Sequence, residues 1–181
     1  PYDPEKAKAL LEQAGYGDGL ELEFSFDTSE QPVAEMWRAA LAKIGVNLTL
    51  IPIDWNTRME KVKNDPGNAP QINSTFWGPD AVGPYTYLYG MFHTEGPSTF
   101  NAGFYSNSAF DKMIDDANRL SATDREAAAQ MFVAAQKFLD DDAAGIFVQD
   151  FPNLTILASD LQGHIGNPGY NNAVFWYDLR R

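Results

Sequence analysis

Apolar and polar positions alternate between two periods along this chain, and the switches between them mark its elements. Ala7, Leu10, Leu11 and Ala14 recur at helical spacing behind Asp3-Pro4, an N-cap followed by proline where its missing N–H costs nothing. Gly15 stops that helix and "GYGDG" breaks the chain. Leu20, Leu22, Phe24 and Phe26 then alternate with Glu21, Glu23 and Ser25, the period of a strand with one buried face. "EQPVAEMWRAALAKIG" returns to the helical period, with Val33, Met36, Trp37, Ala40, Leu41 and Ile44 predicted on its apolar side. Gly45 ends it, and "VNLTLIPID" follows as a strand rich in β-branched residues. Strand, helix and strand in this order make a βαβ unit, whose crossover implies parallel pairing.

Beyond it, "WNTRMEKVKND" reads as a shorter helix, "DPGN" at 65–68 as a turn, and "APQINSTFW" as another strand. "SNSAFDKMIDDANRL" predicts a helix with Phe110, Met113, Ile114 and Ala117 inward. Thr123 and Glu126 have the spacing of a capping box for the next helix, whose inner face is Met131, Phe132, Ala135, Phe138 and Leu139. "GIFVQDFPNLTILAS" suggests two short apolar strands interrupted by Pro152. The predicted class is α/β, a mixed sheet flanked by helices, with a lobe over 1–160 and an irregular tail over 161–181.

One segment breaks both periods. "STFWGPDAVGPYTYLYGMF", residues 74–92, gathers six aromatic residues, three glycines and two prolines around a single carboxylate, Asp80. Gly78, Pro79, Gly83 and Pro84 argue against regular helix and free the backbone to approach a ligand. Broad apolar walls from Phe76, Trp77, Tyr85, Tyr87, Tyr89 and Phe92 with few polar groups are what a binding pocket needs. The same residues would also serve to cover a sheet edge, with Asp80 capping a turn.

Composition narrows the chemistry. The chain has 181 residues, 44 % apolar and 21 % charged, and a formal net charge of −12. Such acidity repels phosphate backbones, so no nucleic-acid partner is expected. The absence of cysteine removes disulfides, thiolate metal sites and cysteine nucleophiles. No apolar run reaches the roughly 20 residues that span a bilayer. His93 and His164 are far apart in sequence and are predicted to be surface or loop residues. Asp140, Asp141 and Asp142 read as a solvated helix end, with calcium binding as the minor reading, and Asp111, Asp115 and Asp116 as a solvated face. Asn-x-Thr triplets at Asn47, Asn73 and Asn153 fall in predicted strands. No catalytic residue, metal site or cofactor is predicted. The N-terminus lacks a signal-peptide pattern and opens on a capped helix without Met, as an excised fragment would.

"YDPEKAKALLEQAGY", "DGLELEFSF", "EMWRAALAKIGVNLTLIPIDW", "WGPDAVGPYTYL", "FNAGFYSNSAFDKMIDDA" and "DREAAAQMFVAAQKFLDDDAAGIFV", in that order, resemble the substrate-binding proteins of ABC importers. The class is the dipeptide, oligopeptide and nickel type, and the resemblance runs along essentially the whole chain. It implies the C-terminal lobe of a two-lobe, type II periplasmic-binding-protein fold, with an N-terminal lobe outside these residues. It also implies a periplasmic or extracytoplasmic location, lipid-anchored in a Gram-positive cell, an ABC permease as membrane partner and no enzymatic activity. In peptide-binding members the acid at the position of Asp80 pairs with the peptide ammonium, and Trp77 to Asp80 line the cleft. Phe76 and Gly78 belong to that segment. Trp55, after the second strand of the βαβ unit, and Asn101, in "FNAGFY", are further ligand-binding candidates. Many peptide-binding relatives carry a second acid where this chain has Gly83. The implied solute is therefore a peptide or similar amine-bearing compound, with an oligosaccharide or metal chelate as alternative and a secreted hydrolase fragment as a distant one.

Overall fold

The computed structural model describes residues 2–76, 78, 83–97, 99–148, 154–167 and 173–181. Strands β1 (Leu20–Phe26), β2 (Val46–Pro52) and β3 (Ile72–Asn73) form a sheet in the order β2-β1-β3. Both pairings are parallel, with Leu20 opposite Val46, Phe26 opposite Pro52 and Ser25 opposite Asn73. Among the described residues the sheet is thus parallel, where a mixed one was expected. The reason is connectivity: a helix separates each strand from the next, so each returns in the same direction. The third strand, two residues long, is also much shorter than the segment "APQINSTFW" read as strand.

Helix α1 (Pro4–Gln13) starts as predicted, Asp3 Oδ1 accepting the Lys6 N–H at 2.9 Å, yet it buries no side chain. Helix α2 (Gln31–Ala42) is the crossover of the βαβ unit. Its sheet-facing positions are Ala34, Trp37 and Leu41, which close over Phe24, Phe26 and Leu48. Val33 and Met36, predicted on that face, are exposed instead. A fully buried alanine lets the helix axis come close to the sheet, and that approach sets the phase of the helix. Phe24 stacks on Trp37 at 5.5 Å across the layer. Helix α3 (Trp55–Asn64) follows β2, and its Met59 and Val62 form a second cluster with Ala102.

Helix α4 (Pro84–Phe92) corrects the reading of residues 74–92 as non-helical. Pro84 is its first residue, within the first turn, where the missing N–H has no helical partner to lose. Helices α5 (Ser108–Leu120) and α6 (Arg125–Asp141) bury Phe110, Ile114 and Ala117, and Ala128, Phe132, Ala135 and Leu139. Phe110 lies 6.3 Å from Phe138 of α6. Asp124, not Thr123, caps α6, its Oδ1 accepting the Ala127 N–H at 2.9 Å. A carboxylate is the stronger acceptor there, and the Thr123 hydroxyl donates back to the Leu120 carbonyl instead.

The chain divides into two compact units, Pro1–Trp77 with Gly90–Ser108 and Gly78–Tyr89 with Ala109–Arg181. The first holds the sheet; the second holds α5, α6 and the tail. The two strands predicted around Pro152 are not formed in the described residues 144–148 and 154–158. Ile146, Phe147, Val148, Leu154 and Ile156 are all more than half exposed. In the tail Gln162 and Arg180 form an antiparallel bridge. Gly163 beside it has φ +82°, and a Cβ there would lie 1.9 Å from the Asp178 carbonyl oxygen, so no other residue fits.

Ala34→Leu should cost about 1–3 kcal/mol in urea unfolding through overpacking against the sheet. Met36→Ala, two residues on and exposed, should stay within about 0.5 kcal/mol.

Candidate functional site

Parallel register makes the strands finish together, and the residues that follow them gather polar groups at one edge. Asp54 follows β2 and caps α3, taking the Thr57 N–H at 3.1 Å and the Thr57 hydroxyl at 2.6 Å. Asp27 follows β1, and its Oδ1 accepts the Ser29 N–H at 3.0 Å and the Ser29 hydroxyl at 2.7 Å. Glu30 completes a reciprocal cap: Oε2 accepts the Asp27 N–H at 3.0 Å and Oε1 the Ser74 hydroxyl at 2.7 Å. On the β3 side the Ser25 hydroxyl donates to Asn73 Oδ1 at 2.6 Å, and Asn73 Nδ2 to the Pro70 carbonyl at 2.9 Å. Hydrogen bonds from Ser29 hold the Asp27 carboxyl below its ordinary 3.8, and those from Thr57 do the same for Asp54. Both are therefore anions at neutral pH. In open α/β sheets ligand crevices lie outside the carboxyl ends of the strands, which is this edge.

One cation answers these acids. Arg58, on the first turns of α3, is buried at 4 % exposure, and its Nη1 donates to the Ser25 carbonyl at 3.4 Å. The guanidinium carbon lies 5.2 Å from the centre of the Trp55 ring, a cation–π contact. Burial pulls its pKa below the ordinary value, opposed by the nearby charges of Glu30 and Asp27.

Of the predicted ligand residues, Trp55 stands at this edge, half-buried at the start of α3 and against the Met59 and Val62 cluster. Phe76 is 72 % exposed three residues beyond β3. A Cβ on Gly78 or Gly83 would meet nothing within 4 Å, so neither glycine is imposed by packing. Trp77 and Asp80 lie outside the described residues. Asn101 is buried, with its amide turned to its own loop: Nδ2 donates to the Tyr105 carbonyl at 2.8 Å and the His93 carbonyl at 3.4 Å, and Oδ1 accepts the Tyr105 N–H at 2.9 Å. His93, predicted at the surface or in a loop, lies in the loop after α4 but is buried, because its Nδ1 accepts the Glu95 N–H at 3.0 Å and folds the ring inward.

Tyr85 and Tyr89 pack together at 5.4 Å, and the Tyr85 hydroxyl donates to Asp115 Oδ1 at 3.0 Å. Phe92 turns its edge to Tyr105 at 6.1 Å. Sequence reasoning passed over Arg58, Glu30, Ser25 and Ser74. Ser25 sat on the strand position read as solvent-facing, and Arg58 looked like any helix-surface charge. The one available signal was Asp54, Trp55 and Arg58 following β2 within six residues. Of two cavities, one of about 170 Å³ lies among Tyr16, Gly17 and Gly45, before β1 and β2 begin, and one of about 390 Å³ runs along α3 at Asn56, Met59, Glu60 and Lys63, with Thr99 opposite.

Parallel sheet, crossover helix and polar strand ends define an α/β binding module. The model of the bacterial extracellular solute-binding proteins, family 5, middle region, matches residues 1–99, more than half of the chain, and the chain belongs to that family. It is 28 % identical over 179 residues to heme-binding protein A of Haemophilus influenzae, covering 94 % of this chain and 32 % of that protein. A glutathione-binding protein of Pectobacterium atrosepticum is 31 % identical over 155 residues, 82 % of this chain and 30 % of the other. Among solved structures, an ABC transporter-associated periplasmic binding protein of Helicobacter pylori, in complex with the peptide STSA, superposes with a TM-score of 0.69 at 26 % identity, over 79 % of this chain and 28 % of that one. The chain thus spans about a third of the length of these relatives.

Burial first, and then the bond to Asp115, push the Tyr85 phenol up to about 12 from an ordinary 10.0. The folded state prefers the neutral phenol, so this stabilisation is complete below pH 10.0 and is lost as pH rises towards about 12. Denaturation followed across that window should show a fall in wild-type stability that Tyr85→Phe lacks. An equal fall in both proteins would assign it to other groups.

Proposed function

We propose that the chain forms one lobe of the solute-binding protein of an ABC importer, working in the periplasm or on the outer side of the cytoplasmic membrane. It binds a solute in a cleft completed by an N-terminal lobe of the same protein and passes it unaltered to a membrane permease. Membership of the family over residues 1–99 carries this reading. The polar edge at the strand ends supports it, since that is where a parallel sheet receives a ligand.

A peptide or similar amine-bearing compound fits best as solute. Asp80 stands in the "W-x-x-D" segment, where its carboxylate would pair with the solute ammonium, beside Trp77, Gly78 and Phe76. Trp55 would add an apolar face. Two of the relatives support a peptide: one is in complex with a tetrapeptide and another is named for glutathione. A second reading, a non-peptide solute such as an oligosaccharide or metal chelate, draws on Gly83. Nothing sterically bars a side chain there, yet the second acid of many peptide binders is absent, and another relative is named for heme. Heme, glutathione and a tetrapeptide have carboxylates in common, whereas heme has no ammonium.

Calorimetric titration of the full-length protein with di- to tetrapeptides tests the role of Asp80. Asp80→Ala should weaken binding by roughly 2–5 kcal/mol, the usual effect of truncating one partner of a desolvated charge pair. N-acetylated peptides should bind wild type and variant alike. Unchanged affinity in Asp80→Ala would remove this residue from the site, and wild-type binding indifferent to acetylation would favour the non-peptide solute.

A further inference from the structure

A guanidinium has five N–H donors, and buried donors are nearly always satisfied. In Arg58 one of them reaches the Ser25 carbonyl at 3.4 Å, the long limit of a hydrogen bond, and Nε has no acceptor. Among the described residues it is the only buried Arg or Lys. The nearest acids do not complete it. Asp27 and Glu30 attract it through space. However, Asp27 Oδ1 takes both donors of Ser29, while the two Glu30 oxygens take the Ser74 hydroxyl and the Asp27 amide. Trp55 occupies a face of the guanidinium plane, which leaves the N–H edge as the direction for a further acceptor.

A buried cation held so sparsely is costly to the unliganded fold, since an ion's desolvation is offset only by good partners. A planar fork with open donors matches the two oxygens of a carboxylate, which it binds through paired charge-assisted bonds. We propose that Arg58 is the anion-binding residue of the solute site and takes a carboxylate of the solute at the carboxyl-terminal edge of the sheet. This rests on the solute-binding role proposed above and names a chemical requirement of the solute. Asp27 and Glu30 would repel a second anionic group, so the site suits one carboxylate on a neutral or cationic body.

Two probes on the full-length protein separate this proposal from the peptide reading. The first is sodium acetate against sodium chloride at equal ionic strength, followed by thermal unfolding of wild type, Arg58→Met and Arg58→Lys. Acetate should raise the wild-type Tm above that in chloride, raise Arg58→Lys less, and leave Arg58→Met unmoved. Without acetate, Arg58→Met should melt at or above the wild-type temperature, because an apolar side chain of similar length removes an unsatisfied buried ion. A lower melting temperature for Arg58→Met, or no acetate effect on wild type, would show a structural arginine and overturn the proposal. The second probe is the tetrapeptide Ser-Thr-Ser-Ala against its C-terminal amide. The amide should bind wild type about tenfold more weakly, and Arg58→Met should not distinguish the two. If wild type binds both equally, the Arg58 assignment falls and the peptide reading stands. If neither binds but acetate acts through Arg58, the peptide reading falls and the assignment stands.

Discussion

Strand β1 is paired on both edges, with β2 along all seven residues and with β3 at its end, and every partner runs parallel to it. This constraint organises the first compact unit. The face of β1 that carries Glu21 is open to water, but at the carboxyl end Ser25, bonded to Asn73 and Arg58, is buried as fully as its neighbours Phe24 and Phe26. Because the pairings are in register, the strands also end side by side. The loops that leave them must bring Asp27, Asp54 and Ser74 to one edge. The polar cluster is thus a product of sheet direction before it is a product of any particular side chain.

The chemistry of that edge follows from how the helices begin. Each helix or turn leaving a strand opens with unbonded N–H groups, and Asp27, Glu30 and Asp54 answer them with carboxylate oxygens. These bonds fix the acids in place, and none of them comes from Arg58. Arg58 is drawn to their charge without receiving their hydrogen bonds. Trp55, one turn before it, lays its ring against the guanidinium. Positioning is therefore done by the scaffold, and the donors remain open.

Much of this architecture was legible in the order of residues. The alternation from Leu20 to Phe26, the crossover helix and the β-branched run from Val46 specified a parallel βαβ unit, and the ordered motifs specified the family. The phase of α2 was not legible, because Ala34 counts little on any hydrophobic scale, yet its small size allows the closest approach to the sheet. Helix α4 was hidden by Pro84, which looks like a breaker unless it stands at the first position. The apolar runs around Pro152 read as strands because local pattern does not reveal whether a pairing edge is available. The place of Trp55 beside the strand ends was legible from its position after a strand, while its part in binding is a proposal. The burial of Arg58 was not legible, since burial of a charged helix residue depends on tertiary contacts that have no local signature.

The exposed apolar side chains of Ile146, Phe147, Val148, Leu154 and Ile156 coexist with a net charge of −12, and the two act over different distances. Mutual repulsion between molecules of this chain reaches about a Debye length, roughly 8 Å in physiological salt, whereas apolar adhesion operates only at contact. Colloidal behaviour then depends on the medium more than on conformation. In dilute buffer the charge keeps copies apart before the sticky stretches can meet. Concentrated salt removes that barrier and strengthens the adhesion at the same time. These residues by themselves would thus be salted out readily without unfolding at all.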